Sequence, residues 1–312
     1  MALDIDVATT PWLWQYPPSA EQLCAQAERA EAMGLHSFWL PENHFGQKGA
    51  IPAPLMLLAA VAARTTTLKL GCTSYLLPVR DPLLAAEEVA VLDNLSEGRL
   101  ILGLGRGIQP AMFEAFGIDP GNKRRLFRDK LEVMRRAWRG EDIAVSESGA
   151  GISLSPLPRQ SPEPPLWVAA FGPLALKQVA GLGLPYLASP LETLDELADN
   201  YDAFHGHVSD AGNAPVTTVP VMRSVFVSDM PAELDAARDA LRASLPPAYR
   251  DRDEAIEARA IVGEPGSVRD TLAAYCERLQ LTHLIVRAGL PGMDEAPQVR
   301  SLELLLDIVR GA

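Results

Sequence analysis

Short apolar runs recur along the chain, each followed by a longer stretch in which apolar residues return every three or four positions. The runs predict eight strands, at residues 3–9, 36–40, 68–73, 100–104, 166–171, 185–188, within 216–227, and at 283–287. The stretches between them read as helices with recognisable ends. Ser19 stands as an N-cap with Gln22 three residues on, and Gly34 closes that helix. Pro54 opens a helix running to about Arg64, and Pro82 opens another to Asn94, in which Leu83, Glu87, Val91 and Leu95 keep the helical step. Leu126 to Trp138 repeats the pattern and Gly140 stops it.

Strands alternating with helices require crossover connections, hence a parallel sheet. Eight such units close into a (β/α)8 TIM barrel, and the 312 residues fit one barrel domain with insertions. An open doubly wound sheet needs a glycine fingerprint after its first strand, where this chain has the aromatic, glycine-free TPWLWQYPP. Two stretches break the alternation. Residues 141–165 are rich in Gly, Ser and Pro, with too little apolar content for another βα pair, and residues 245–265 are charged, with room for a lid or short helix. Long excursions of this kind serve as functional covers or connectors.

Composition narrows the class. Hydrophobic residues make up 48%, ample for a buried core, and 28 Lys and Arg against 40 Asp and Glu leave a formal charge of −12. An acid excess of that size disfavours nucleic acid and anionic membrane surfaces as partners. The start MALDIDVATT carries acids where a signal peptide carries Lys or Arg, and no apolar run reaches spanning length. The three cysteines, Cys24, Cys72 and Cys276, form no disulfide framework and no metal-finger spacing. The expectation is a soluble enzyme of the reducing cytoplasm.

In a barrel, chemistry collects where strands end. Glu42, Asn43 and His44 put a carboxylate, an amide and an imidazole after the second strand, with His44 a candidate base. Around Arg106, the run GLGRG lacks the third glycine of a dinucleotide loop, since that place is Ile108. Its glycines read instead as clearance for a flat ligand, with the Arg106 guanidinium offered to a phosphate or ring carbonyl. Gly172 begins a helix directly after the fifth strand, where free backbone N–H groups suit phosphate, and Arg124 offers counter-charge. No metal set is expected. His205 and His207, two apart on a helix, do not share a face, and His283 at a strand start belongs to the other rim.

The residues also carry a family pattern. GLHSFWLPENHF (34–45) resembles the segment GFD-S/T-VW-x-x-EHHF of the bacterial luciferase-like flavin monooxygenases. The likeness continues through AARTT (62–66), LGCTSYLLP (70–78), DPLLAAEEVAVLDNLSEGR (81–99), GLGRG (103–107), FEAFGID (113–119), PPLWVAA (164–170) and GLP (183–185). It covers roughly residues 3 to 200 and the closing βα unit. The resemblance implies a (β/α)8 barrel that binds reduced FMN, or in one branch the deazaflavin F420, at the strand C-termini. Thr73 and Ser74, where these proteins often carry a cis peptide, would support the flavin ring, with Ile108, Ala169 and Ala170 lining it. Arg106, Arg124 and Gly172 match the phosphate positions. The family's Ser and Thr near that helix start are replaced by Gly172 and Ala175.

Two departures stand out. The first of the family's paired histidines is Asn43, an amide that hydrogen-bonds but exchanges no proton near neutrality, and the reactive cysteine's place is Gly105. Aldehyde-oxidising light emission is therefore not expected. The implied activity is a monooxygenase in which reduced FMN from a separate reductase, with O2, oxygenates a small organic substrate held by Trp12, Trp14, Tyr75 and Phe171, under cover of one of the two excursions. An F420-dependent hydride transfer and a non-catalytic flavin-binding paralogue are the alternatives. The family also implies a homodimer, which suits the helices opened by Pro54 and Pro82, apolar on more than one side.

Overall fold

Strands and helices alternate from one end of the chain to the other. The structure is a computed structural model that describes residues 2–14, 19–45, 50–250 and 254–311. In chain order the main elements begin with β1 (Asp6–Thr9), α1 (Ala20–Met33), β2 (Ser37–Leu40), α2 (Pro54–Ala62), β3 (Lys69–Leu76), α3 (Pro82–Leu95) and β4 (Leu100–Gly105). There follow α4 (Pro110–Ala115), α5 (Lys123–Trp138), a small hairpin of β5 (Ala144–Val145) and β6 (Gly151–Ile152), β7 (Leu166–Ala169), α6 (Pro173–Gly181) and β8 (Tyr186–Leu187). The chain closes with α7 (Leu194–Asp210), β9 (Pro220–Val227), α8 (Pro231–Ser244), α9 (Pro247–Arg250), β10 (Ile261–Gly263), α10 (Pro265–Leu279), β11 (His283–Arg287) and α11 (Glu295–Arg310).

The eight expected strands are all present among the described residues, and β10, beside β9, is an additional one. Only three residues long and preceded by the charged run ending at Arg259, β10 gives no periodicity to read. The first excursion also differs from expectation, holding the antiparallel hairpin of Ala144 and Val145 against Ile152 and Gly151.

Helix ends follow from local chemistry. Ser19 Oγ accepts from Gln22 N at 3.4 Å, and Gly34 leaves α1 at φ +79°. Asp81 caps α3, accepting from Leu83 N and Leu84 N. Thr193 and Glu196 form a reciprocal capping box on α7.

The residues fall into two compact units. One comprises residues 1–15, 29–38 and 170–312, the other 16–28 and 39–169. In the first, β1 pairs in parallel with β11, in register Asp6↔His283 through Thr9↔Val286, and with Ser37 and Phe38 of β2. The long strand β9 serves two partners, pairing from Pro220 to Ser224 with β11 and from Val225 to Val227 with β10.

In the second unit β3 pairs with β4, and β4 with β7, all parallel, with a register shift between Thr73 and Tyr75. Trp39 and Trp167 stack at its centre, ring centroids 5.0 Å apart. A Cβ on Gly71 would lie 2.1 Å from the Trp39 ring, so only glycine fits there. Arg99 pins the start of β4, donating to the carbonyls of Ala62, Thr65, Leu68 and Ser96. Residues 141–165 are tied to the same end. Gln160 donates to both Asp93 oxygens and to the carbonyl of Leu100, the first residue of β4. That anchorage, at strand starts, removes this excursion from the covers expected over the strand ends.

Candidate active site

Glu42 is the centre of the second unit's polar chemistry. Its carboxylate has no solvent contact and accepts from His44 Nε2 at 2.6 Å, Arg80 Nη1 at 2.7 Å and Leu76 N at 3.1 Å. Arg80 also donates to the Leu76 carbonyl and lies 3.8 Å from the centre of the Tyr75 ring. With the carboxylate accepting at Nε2, the His44 proton is assigned to Nε2, which leaves Nδ1 as the basic atom. The ring is set by an edge contact to Phe116 at 5.1 Å and by Phe45 at 5.8 Å.

Asn43 does something different. Its Oδ1 accepts from Ile51 N at 2.5 Å while its own N–H donates to the Ile51 carbonyl at 3.1 Å. The side-chain oxygen is therefore committed to closing the loop, and of the triplet only His44 has a proton-handling atom to offer.

Thr73 and Ser74, half-buried and joined by a cis peptide, end the regular part of β3. Sequence reading assigned the glycines around Leu104 to ligand clearance, and the structure corrects this. A Cβ on Gly105 would fall 2.0 Å from Ser74 Oγ, and one on Gly103 2.1 Å from the Cys72 carbonyl oxygen. The glycines make room for the protein's own neighbouring strand.

Beyond Gly105 the cations gather. Arg106 is buried, donates from Nη2 to the Ala169 carbonyl at 2.6 Å, and so links the ends of β4 and β7. Burial, reinforced by the Arg124 charge, pushes its pKa down to about 10. Lys123 is also pushed below its usual range, by burial and then by Arg106 and Arg124. Arg106, Lys123 and Arg124 thus concentrate positive charge in one place, as the repulsion felt by Arg106 and Lys123 shows. Ile108 next to them is exposed, Ala169 half-buried.

Tyr75 does not line an opening. It is 1% exposed and its hydroxyl donates to Glu88 at 2.7 Å. Burial, aided by that carboxylate, drives its pKa far above the usual phenol value.

In the first unit, Trp12 likewise leaves the expected pocket set. It is 1% exposed and its indole N–H donates to Glu295 at 3.0 Å. Trp14 fits a ligand-facing role better, because its indole nitrogen is shielded from solvent with no hydrogen-bond partner among the described residues. Ala170 is buried, Phe171 is 63% exposed, and Gly172 starts α6 at φ +82° with no side-chain cap. At the ends of β9 and β11, a cavity of about 110 Å³ is lined by Ser224, Arg287, Gly289 and residues of the second excursion from Leu245 to Ala260. The Arg287 side chain is exposed and has no hydrogen-bond or ion-pair partner among the described residues.

Arg80, Lys123 and Arg287 were given no site role from sequence. Arg80 and Lys123 act on groups 38 and 16 residues away, a distance at which one sequence carries no pairing signal. Arg287 closes a predicted strand, and that position alone gave it no chemical role.

The family model described as luciferase-like monooxygenase matches residues 5–282. Among curated proteins, the uncharacterized protein y4wF of Sinorhizobium fredii is 33% identical over 205 residues, 64% of this chain and 60% of its own length. The oxygenase component of flavin-dependent trigonelline monooxygenase from Acinetobacter baylyi is 26% identical over 224 residues, 69% of this chain and 61% of its own. The match thus spans about three-fifths of the length of these relatives. Among solved structures, the oxygenating constituent of 3,6-diketocamphane monooxygenase from Pseudomonas putida, a type II Baeyer–Villiger monooxygenase in complex with FMN, superposes with a TM-score of 0.81. It covers 100% of this chain and 99% of its own at 22% identity, which fixes the fold as the (β/α)8 barrel expected from the strand count.

Proposed function

The chain belongs to the luciferase-like monooxygenases, and from that premise we propose that it is the oxygenase of a two-component system, taking reduced FMN from a separate reductase and inserting oxygen into a small organic substrate. The reaction balances as one oxygen atom of O2 to the substrate and the other to water, with two electrons from the reduced flavin, which is the chemistry the cofactor supplies when bound. The observation that carries the reading is the gathering of Arg106, Lys123 and Arg124 beyond the end of β4, where burial and the neighbouring charges lower the pKa of Arg106 and of Lys123, a setting that suits a phosphate. The FMN in the diketocamphane enzyme and the flavin dependence of the trigonelline enzyme support the choice of cofactor.

In this reading Arg106 and Arg124 hold the phosphate, Thr73 and Ser74 lie under the ring, and His44 Nδ1 holds or releases the proton of the oxygen-transfer step. Glu42 is a positioning residue that fixes the His44 tautomer. Within the first unit, Arg287 is the candidate for holding a polar group in the cavity it lines with Leu245, Ile256, Arg259 and Ala260. The exposed apolar residues Met56 on α2 and Leu84, Val91 and Leu95 on α3 support a homodimer through those helices.

Equilibrium titration with FMN and with F420 tests the cofactor. FMN should bind, and Arg124→Ala should weaken it about 10- to 100-fold, as loss of one charge-assisted hydrogen bond does. Binding of F420 with none of FMN would reverse the assignment. With reductase and FMN supplied, His44→Ala should raise hydrogen peroxide released per NADH consumed while leaving FMN affinity unchanged.

A further inference from the structure

His283, set aside in sequence as lying on the rim away from the chemistry, has company there. Asp6 and His283 are directly opposite one another in the β1·β11 ladder, and His36, just ahead of β2, donates its backbone N–H to the Val7 carbonyl of β1 at 2.8 Å. Three adjacent strand starts thus bring a carboxylate and two imidazoles to one place, all within the first unit. The His36 and His283 Nε2 atoms lie 3.5 and 3.3 Å from the same Asp6 oxygen, and one ligand atom from each of the three residues lies within 4.8 Å of the others.

Those separations distinguish two explanations. A charge-assisted N–H···O bond closes to about 2.7–2.9 Å, and neither contact does. Around a tetrahedral zinc ion, with metal–nitrogen and metal–oxygen bonds of about 2.0–2.2 Å, neighbouring ligand atoms stand about 3.3 Å apart. The contacts match the second spacing. The rings meet edge to face at 5.2 Å, and each is oriented from behind by a hydroxyl on its Nδ1, Ser37 Oγ at 3.0 Å for His36 and Thr282 Oγ1 at 2.8 Å for His283. A hydroxyl that accepts from Nδ1–H leaves the Nε2 lone pair for a metal, the usual outer arrangement of a ligating histidine. Both imidazoles are largely shielded while the Asp6 side chain is 52% exposed, which leaves an entry path and room for a water ligand.

We propose that Asp6, His36 and His283 form a binding site for a divalent cation of the zinc class, clamping the starts of β1, β2 and β11. Two imidazoles with one carboxylate suit zinc, cobalt and nickel better than calcium or magnesium, which prefer all-oxygen sets. The clamp sits at the strand starts, so it acts on stability and leaves the strand-end chemistry in place.

Calorimetric titration of tag-free, chelator-treated full-length protein with ZnCl2 tests this. One equivalent should bind, Co2+ should give the visible absorption of a low-coordinate nitrogen–oxygen site that Zn2+ bleaches, and saturating Zn2+ should raise Tm by about 5 °C. His36→Asn and Asp6→Asn should each abolish the Co2+ spectrum and the Tm rise. Asp6 is half-exposed, so Asp6→Asn keeps its fold, checked by its metal-free Tm. His205→Ala with His207→Ala should change neither readout. Failure to bind one equivalent, binding that survives both Asp6→Asn and His36→Asn, or binding lost with His205 and His207 instead, overturns the site.

Discussion

Glu42 holds three donors with one carboxylate, those of His44, Arg80 and the Leu76 N–H. Arg80 depends on it most, since its guanidinium, largely buried over the Tyr75 ring, has the Leu76 carbonyl as its other acceptor but no other anion among the described residues. Removing one partner of a buried pair costs about 3–5 kcal/mol, because the other charge is left uncompensated. Glu42→Ala should therefore lower unfolding free energy by about 3–4 kcal/mol in urea denaturation. Glu42→Gln, which keeps an acceptor for Arg80 and the Leu76 N–H, should lose about half as much. At this scale the sequence was partly readable. Glu42, Asn43 and His44 stood out as a polar triplet after a strand, but their division of labour did not. The Asn43 oxygen is taken by Ile51, and Glu42 by Arg80, through contacts that depend on chain closure. Gly103 and Gly105 misled for a related reason. Their lack of a side chain was plain, while the groups filling the space, Cys72 O and Ser74 Oγ, come from the neighbouring strand.

Elements were easier to read, because helix ends and strand runs are written in contiguous residues. Ser19, Gly34, Pro54 and Pro82 mark boundaries within two or three residues of those observed. The misses were short pieces whose order comes from partners: β10, held by the end of β9, and the hairpin in the first excursion. Helix α3 carries a further expectation. Its exposed Leu84, Val91 and Leu95 are spaced seven and four residues apart and so share one stripe, with Met56 of α2 exposed as well. Burying such a stripe against a second copy is the dimer proposed above. The double substitution Leu84→Glu and Leu95→Glu should shift light-scattering mass from dimer to monomer with secondary structure intact. An unchanged mass, or a monomeric wild type, would remove α3 from the interface.

For the molecule as a whole, stability should depend on pH through Glu192. This side chain is buried, accepts from Tyr186 Oη, Ser189 N and Asn200 Nδ2, and is raised by burial from 4.5 to about 7 despite those bonds and the nearby Arg223. The folded protein holds this proton more tightly than the unfolded chain. The resulting stability is complete below about pH 4.5 and lost as pH rises through 7, a difference of about 3 kcal/mol. Glu192→Gln should flatten that part of the profile, measured by urea unfolding from pH 5 to 8. Fold and family could be read from the whole sequence because many weak signals repeat along it, strand after strand. A single buried carboxylate such as Glu192 has no repetition to reveal it. The stacked Trp39 and Trp167 indoles have an optical consequence. At 5.0 Å and 19° between planes their electronic transitions couple, so the folded protein should show a paired positive and negative ellipticity band in the ultraviolet. Trp167→Phe should erase it, giving an intrinsic gauge of whether the inner strands are assembled that needs no label.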